Sequence, residues 1–71
     1  MDIVKIKRII HAILFASGRE VKVSEITHIL DIDYKQIEGI IQEMKTELEN
    51  NQSSIEIIKV NDAYQMCVKK E

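Results

Sequence analysis

The stretch Ser24–Glu49, SEITHILDIDYKQIEGIIQEMKTELE, decides the fold. In its second half apolar residues recur at helical spacing and form one stripe, with Tyr34 at its edge: Ile37, Ile40, Ile41, Met44 and Leu48. Asp33 is placed to cap the first turn with Gln36 as its capping-box partner, and Ile32 can pack on Ile37 as a hydrophobic staple. The pattern predicts a helix over residues 34–49.

The first half of this stretch predicts a shorter helix, over residues 24–30. Ser24 is a candidate N-cap, and Ile26, Ile29 and Leu30 place an apolar stripe on about two helical turns. A helix this short is unstable alone, so it must pack against the longer one. A short helix, a tight turn and a long helix together predict a helix-turn-helix, a motif that usually suggests DNA.

The charges on the predicted long helix argue against DNA. On its outward side Lys35 and Lys45 are opposed by three acids that form a candidate acidic outer face: Glu38, Glu43 and Glu49. A helix that reads the major groove meets one phosphate per roughly 1.7 Å of duplex axis and needs Lys or Arg on this side. The pattern favours a protein partner over direct sequence-specific DNA binding. A winged-helix DNA-binding transcriptional regulator is the alternative.

Length and charge point the same way. The 71 residues predict one domain over residues 1–71, with 45% hydrophobic residues that are mostly Ile, Val and Leu. A chain of this size buries only about 60% of its unfolded surface, so self-association would add stability. Ten basic and twelve acidic residues give a net charge of −2, far from the basic balance of small DNA-binding domains.

The sequence also indicates a cytoplasmic location. The single cysteine, Cys67, cannot form an internal disulfide and fits a reducing compartment. No hydrophobic run is long enough for a membrane span, and no signal peptide is recognisable. We therefore expect a cytoplasmic protein.

The N-terminal residues predict a first helix over about 2–17, ended by Gly18. Its main apolar sector comprises Ile3, Ile6, Ile9, Ile10, Ile13 and Leu14. Val4 and Phe15 lie outside that sector, on a side that also carries Arg8 and His11. Two explanations are open: a central helix sandwiched between the helix pair and a sheet, or a dimer or partner patch formed by Val4, His11 and Phe15.

The remaining segments predict strands. We expect a short strand at 21–23, a polar loop at 50–54, and strands at 55–60 and 63–69 joined by a turn at Asn61 and Asp62. The hydrophobic pattern favours one hairpin register, with Val60 opposite Ala63, Lys59 opposite Tyr64, Ile57 opposite Met66 and Ile55 opposite Val68. The whole predicts an α+β winged helix: three helices, a short strand after the first, and a C-terminal β-hairpin wing.

Two segments carry a family resemblance. The run AILFASG at residues 12–18 and the Tyr64-Gln65-Met66 pattern after the hairpin turn resemble the N-terminal winged-helix domain of the bacterial segregation and condensation protein B family. The resemblance covers nearly the whole chain. Members typically have a second winged-helix domain, so this chain resembles one half of such a protein.

The resemblance implies a function. Family members are non-enzymatic subunits that dimerise through this half and bind the kleisin subunit of the structural-maintenance-of-chromosomes complex, supporting chromosome condensation and segregation at the nucleoid. Kleisin binding is attributed chiefly to the other half. The resemblance therefore implies a homodimer, with the kleisin and its complex as partners.

No residues suggest catalysis, a cofactor or a metal site. His11, His28 and Cys67 lack the close spacing of a zinc site, and the acids are scattered over solvent faces. Gly39 is unusual inside a helix, where glycine costs about 1 kcal/mol relative to alanine. A closely approaching partner backbone and a tolerated cost on an exposed face both explain it.

Overall fold

The computed structural model describes residues 2–70; Met1 and Glu71, which the predicted domain 1–71 includes, lie outside the described residues. The elements are α1 (Ile3–Ser17), β1 (Val21–Lys22), α2 (Val23–Leu30), α3 (Tyr34–Asn50), β2 (Ile55–Val60) and β3 (Ala63–Val68). The strands form one antiparallel sheet in the order β1-β3-β2. This is the predicted α+β winged helix. None of the helices described is long and apolar enough to cross a membrane.

The ends of α1 and α3 follow their local sequence. The Asp2 carboxylate accepts a hydrogen bond from the Lys5 N–H at 2.9 Å, and Gly18 ends α1 with a left-handed φ of 60°. Asp33 caps α3 as predicted, accepting from the Lys35 N–H at 3.1 Å. Within residues 2–70 no hydrogen bond from the Asp33 N–H to the Gln36 side chain completes the predicted capping box.

The predicted N-cap at Ser24 is wrong, because α2 begins one residue earlier, at Val23. The Val23 N–H donates to the Asp62 carbonyl at 2.9 Å, so β1 runs directly into the helix. The Glu25 carboxylate accepts from the Lys22 N–H at 3.0 Å and stabilises this first turn. Strand pairing thus fixes the start of the helix, and β1 is shorter than the predicted 21–23.

The core takes side chains from every element. It comprises Ile6, Ile10, Leu14, Val21, Val23, Ile26, Ile37, Ile40, Ile41, Met44, Ile57 and Tyr64. The stripe predicted for α3 is therefore buried, with Leu48 packed at its margin. On α1 the predicted apolar sector is buried along its centre, whereas Ile3 at its edge is 45% exposed. The core holds α1 and α3 side by side, so their exposed faces form one continuous surface.

The hairpin has the predicted register. Val60 pairs with Ala63 and Ile57 with Met66, and Asn61 takes the left-handed φ of 57° expected for its turn. Burial does not extend along the whole inner face, because Val68 is 73% exposed. The strand ends at Val68, one residue before the predicted end.

Gly39 lies in the interior of α3, and within residues 2–70 no atom beyond its chain neighbours and the adjacent backbone of the same helix lies within 4 Å of the position that a Cβ would occupy. We expect Gly39→Ala to stabilise the domain by about 0.5–1 kcal/mol, because alanine lowers the backbone entropy lost on helix formation. Urea unfolding checks this, with an increased midpoint and an unchanged slope.

Gly18→Ala is the matched control, since the left-handed φ of Gly18 predicts the opposite sign. A lower midpoint for Gly39→Ala would contradict the expectation. If Gly39→Ala stabilises the domain but weakens its assembly, the result would favour a partner backbone that approaches Gly39 closely. It would disfavour the other explanation, in which the cost of a helical glycine is tolerated on an exposed face.

Candidate protein-interaction surface on α1 and α3

The exposed side of α1 carries four residues at successive spacings of four, three and four, which places them in one line along the helix. We call this line the α1 strip: Val4, Arg8, His11 and Phe15. Val4 is 57% and Phe15 70% exposed. The His11 ring stacks on Phe15, with the centroids 6.3 Å apart and the planes 12° apart. Val4 and Phe15 therefore belong to the surface and not to a sandwiched core, while their role as a partner or dimer patch stays a prediction.

A groove runs between the α1 strip and the C-terminal half of α3. This α1–α3 groove has a volume of about 430 Å³ and is lined by Val4, Lys7, Arg8, His11, Met44, Glu47, Leu48 and Asn51. Val4, Met44 and Leu48 supply its apolar lining. It exists because the apolar stripe of α3 reaches Leu48, which the core covers only partly. Such a groove suits apolar side chains from another chain.

The charges around this groove are of two kinds. The Lys7 Nζ lies 3.0 Å from Glu47 Oε2 and 3.4 Å from Glu43 Oε1, and the hydrogen bond to Glu47 raises the pKa of Lys7. Arg8 is exposed and makes no ion pair or hydrogen bond through its side chain to the rest of residues 2–70. Arg8 is thus a cation available to a partner.

The candidate acidic outer face differs from its prediction in arrangement. Glu38 binds Lys59 Nζ at 3.0 Å, Glu49 lies 3.5 Å from Lys69 Nζ, and Glu43 joins Lys7. The three acids thus lie on two flanks of α3, toward the wing and toward α1, and each has a lysine partner. The sequence of α3 alone could not reveal these lysines, because they come from other elements.

The outward strip of α3 lies between those flanks and consists of Lys35, Gly39, Gln42 and Thr46, all exposed. The Thr46 hydroxyl donates to the Gln42 carbonyl at 3.1 Å. Lys35 is the single cation among these four residues. This strip is less negative than predicted, yet it still lacks the several cations that phosphate binding requires.

The wing contacts α3 through a second polar cluster. The Tyr64 hydroxyl lies 3.5 Å from Glu38, and the Lys59 Nζ lies 5.8 Å from the Tyr64 ring centroid. Burial raises the pKa of Tyr64, and the hydrogen bond that the Lys59 ammonium donates to the Glu38 carboxylate raises the pKa of Lys59. This cluster connects the wing to α3.

These shifts predict a loss of stability in alkali. Because the pKa values of these groups are higher in the folded state, the unfolded chain releases its protons at lower pH than the folded chain does. The stabilisation is therefore fully present below the pKa values of the unfolded state and is lost as pH rises through those of the folded state. We expect the free energy of unfolding to fall above about pH 10, where Tyr and Lys titrate. Urea titrations from about pH 8 to about pH 11 measure this.

The matched control for this loss is Tyr64→Phe, which keeps the buried ring and removes the phenol. Its alkaline loss should be smaller, with Lys7 and Lys59 providing what remains. Equal stability at both ends of the pH range would contradict the prediction.

The candidate metal ligands lie on separate elements, with His11 on α1, His28 on α2 and the half-buried Cys67 on β3. Within residues 2–70 no three such side chains, with Asp and Glu included, come close enough to hold an ion. Sequence reasoning missed Met44 and Leu48 as lining of a surface groove. Two features of the sequence indicate that groove. Val4 and the other residues of the α1 strip recur at helical spacing, and the apolar stripe of α3 extends one turn beyond its buried part.

The fold and this surface define the class of protein: a winged-helix domain with an exposed apolar strip on its first helix and paired charges on its third. Comparison with known families then identifies the lineage. Residues 8–71 match the family model "Segregation and condensation complex subunit ScpB". The chain belongs to this family.

Curated relatives agree with this assignment. The chain is 41% identical over all its 71 residues to "Segregation and condensation protein B" of Alkaliphilus oremlandii and 38% identical to that of Lachnoclostridium phytofermentans. It is 41% identical to the protein of the same name from Alkaliphilus metalliredigens. The chain spans 38%, 38% and 37% of the lengths of these three relatives, respectively.

Solved structures support the fold. A crystal structure of ScpB from Mycobacterium tuberculosis matches 97% of this chain and 43% of its own chain, with a TM-score of 0.90 and 19% identity. A second structure, a dimer of an ScpB N-terminal domain complexed with an ScpA peptide, matches 90% of this chain and 80% of its own, with a TM-score of 0.83 and 23% identity. At these identities the likeness establishes the winged helix.

Proposed function

We propose that this chain is a protein-interaction and dimerisation domain of an accessory subunit of the bacterial condensin, supporting chromosome condensation and segregation. The observation that carries the proposal is the exposed α1 strip on a domain of this family. A small domain that leaves Phe15 70% exposed and Val4 57% exposed gains stability when another polypeptide covers them.

The proposed partners follow from the relatives. One solved relative is described as a dimer of the N-terminal domain complexed with an ScpA peptide. We propose that this chain likewise forms a homodimer and binds the kleisin subunit, and through it the structural-maintenance-of-chromosomes complex. Its proposed location is the cytoplasm, at the nucleoid.

The proposed role is non-enzymatic. Three groups have raised pKa values: Lys7, Lys59 and Tyr64. Surface ion pairs raise the pKa values of the two lysines, and burial at the edge of the core raises that of Tyr64. A catalytic site instead combines perturbed groups within one cleft. The proposed function therefore depends on surfaces.

Light scattering on the purified chain tests self-association. We expect the weight-average mass to approach twice the monomer value of 8.2 kDa as the concentration rises through the micromolar range. A mass that stays at the monomer value at high micromolar concentration would count against dimerisation through this domain.

Fluorescence anisotropy with duplex DNA at low salt tests the alternative, a DNA-binding regulator. Phosphate contacts would give an affinity that falls steeply as salt is added. We expect weak binding at most, because Lys35 is the single cation on the outward strip of α3. Tight, salt-sensitive binding that is abolished by Lys35→Glu would favour the regulator.

A further inference from the structure

We infer that two copies of this chain pair through the free edge of β2, in an antiparallel arrangement that joins their three-stranded sheets into one continuous sheet. The inference rests on the proposed function, since it assigns the proposed homodimer to one surface. It is carried by the backbone hydrogen-bonding groups of β2 and does not involve the α1 strip.

β2 lies at the edge of the sheet, because the strand order β1-β3-β2 leaves one of its sides without a neighbouring strand. Hydrogen-bonded pairs alternate along an antiparallel ladder. The Lys69 N–H donates to the Ser54 carbonyl at 2.8 Å, so the hydrogen-bonded pairs of the hairpin include every second residue from Ser54 onward. The residues between them direct their N–H and C=O groups away from β3 and form what we call the β2 edge: Ile55, Ile57 and Lys59.

The β2 edge has unpaired backbone groups. The N–H and C=O groups of Ile57 and Lys59 have no hydrogen-bond partner within residues 2–70. The Ile55 N–H differs, because it donates to the Ser53 hydroxyl at 3.1 Å. Donors and acceptors that recur at strand spacing are complemented by another extended strand, the mode of recognition known as β-strand addition. The β2 edge therefore suits a strand of polypeptide.

β2 carries few of the features that protect sheet edges from pairing. The chain contains no proline, and all six residues of β2 pair with β3 without a bulge. Lysine on an edge strand usually opposes pairing, but the Lys59 ammonium is held 3.0 Å from Glu38 on α3. On the face of the sheet away from the core, Ile58 is 36% and Val60 38% exposed. The edge is therefore open and bordered by apolar side chains.

The unpaired groups select one register for a second copy. When Ile57 of each copy pairs with Lys59 of the other, each pair exchanges both of its N–H···O bonds and all of these groups are used. Sliding one strand by two residues places Lys59 opposite Ile55, whose N–H is already bonded to Ser53. Sliding it the other way places Ile57 opposite Asn61, which has the left-handed φ of 57° of the hairpin turn.

This register places the two-fold axis at Ile58. The Ile58 side chains of the two copies meet in a non-hydrogen-bonded pair, where Cα atoms lie about 4.5 Å apart. Val60 lies opposite Glu56 of the second copy, so no like charges lie directly opposite each other. The two Lys59 side chains are diagonal neighbours, and each is paired with Glu38 of its own chain. The pairing therefore covers exposed apolar side chains without opposing charges of the same sign.

Disulfide cross-linking tests the register. In a Cys67→Ser background, which removes the native thiol, we expect Ile58→Cys to form a covalent dimer under mild oxidation, because the Cα separation of its pair suits a disulfide. Val60→Cys is the matched control, with a thiol on the same face of the same strand. The two copies of residue 60 would lie about 13 Å apart along the strands, so Val60→Cys should cross-link at least about tenfold more slowly.

A proline at residue 59 tests the hydrogen bonds. Lys59→Pro removes an N–H that faces the free edge and leaves the pairing with β3 intact, as proline on edge strands commonly does. We expect the dissociation constant for self-association, measured by light scattering, to rise at least about tenfold. Lys59→Ala is the matched control: it loses the same ion pair with Glu38 but keeps the N–H, and should dimerise like the wild-type chain.

The outcomes separate this inference from the proposed function. If the wild-type chain dimerises but Ile58→Cys cross-links no faster than Val60→Cys, the β2 edge is not the interface and dimerisation stands. The same holds if Lys59→Pro is folded and dimerises as tightly as Lys59→Ala. If a kleisin peptide binds the wild-type chain and only Lys59→Pro weakens it, the edge takes a strand of the other subunit and the assignment is overturned. If the wild-type chain stays monomeric at high micromolar concentration, the proposed dimerisation fails and the assignment fails with it.

Discussion

Replacing Ile41 by alanine is expected to lower the free energy of unfolding by about 3 kcal/mol, within the 2–5 kcal/mol typical of large-to-small core changes. Ile41 is completely buried at the centre of the α3 stripe, so the substitution removes apolar contacts and leaves a cavity that helices on both sides cannot fill. Domains of this size have roughly 0.05–0.15 kcal/mol of stability per residue. The loss is therefore a large part of the total, and urea unfolding followed by circular dichroism measures it.

The matched control is Ile29→Ala on α2, which makes the same chemical change on a side chain that is 59% exposed. Its effect should be within about 0.5 kcal/mol of zero. Equal losses for the two variants would show that Ile41 does not lie in the core, and would contradict the packing of α3.

The fold was predictable because its main determinants are periodic. Burial of Ile37, Ile41 and Met44 follows from a spacing that only a helix turns to one side, and the hairpin register follows because a shift by one residue would reverse its two faces. The start of α2 was predicted wrongly at Ser24, because a backbone bond from Val23 to Asp62, distant in sequence, sets it.

The candidate site was only partly predictable, for a related reason. Sequence placed Val4, His11 and Phe15 on one side of α1, but their exposure depends on which elements cover that helix. The sequence predicted an acidic face on α3 without lysine partners. In the folded chain Lys7, Lys59 and Lys69 approach these acids. Pairs between elements carry no periodic signal, so these ion pairs could not be predicted from the sequence of α3.

Phe15→Ala is expected to weaken whichever assembly the α1 strip makes, by about 2 kcal/mol or roughly thirtyfold in Kd. An aromatic side chain at the centre of an interface commonly contributes this much, and its stacking on His11 favours one orientation before binding. Light scattering for the dimer and anisotropy with a kleisin peptide measure the two assemblies separately.

Stability and association must be read together for this variant. Because Phe15 is 70% exposed, the free energy of unfolding should change by less than about 0.5 kcal/mol. Val68→Ala is the matched control, since Val68 is a similarly exposed apolar residue on the wing, and it should leave both assemblies intact. If Phe15→Ala lowers stability and leaves both assemblies unchanged, Phe15 serves the fold and the patch hypothesis is wrong. If only one assembly weakens, the strip is assigned to that assembly, because a loss of folding would weaken both.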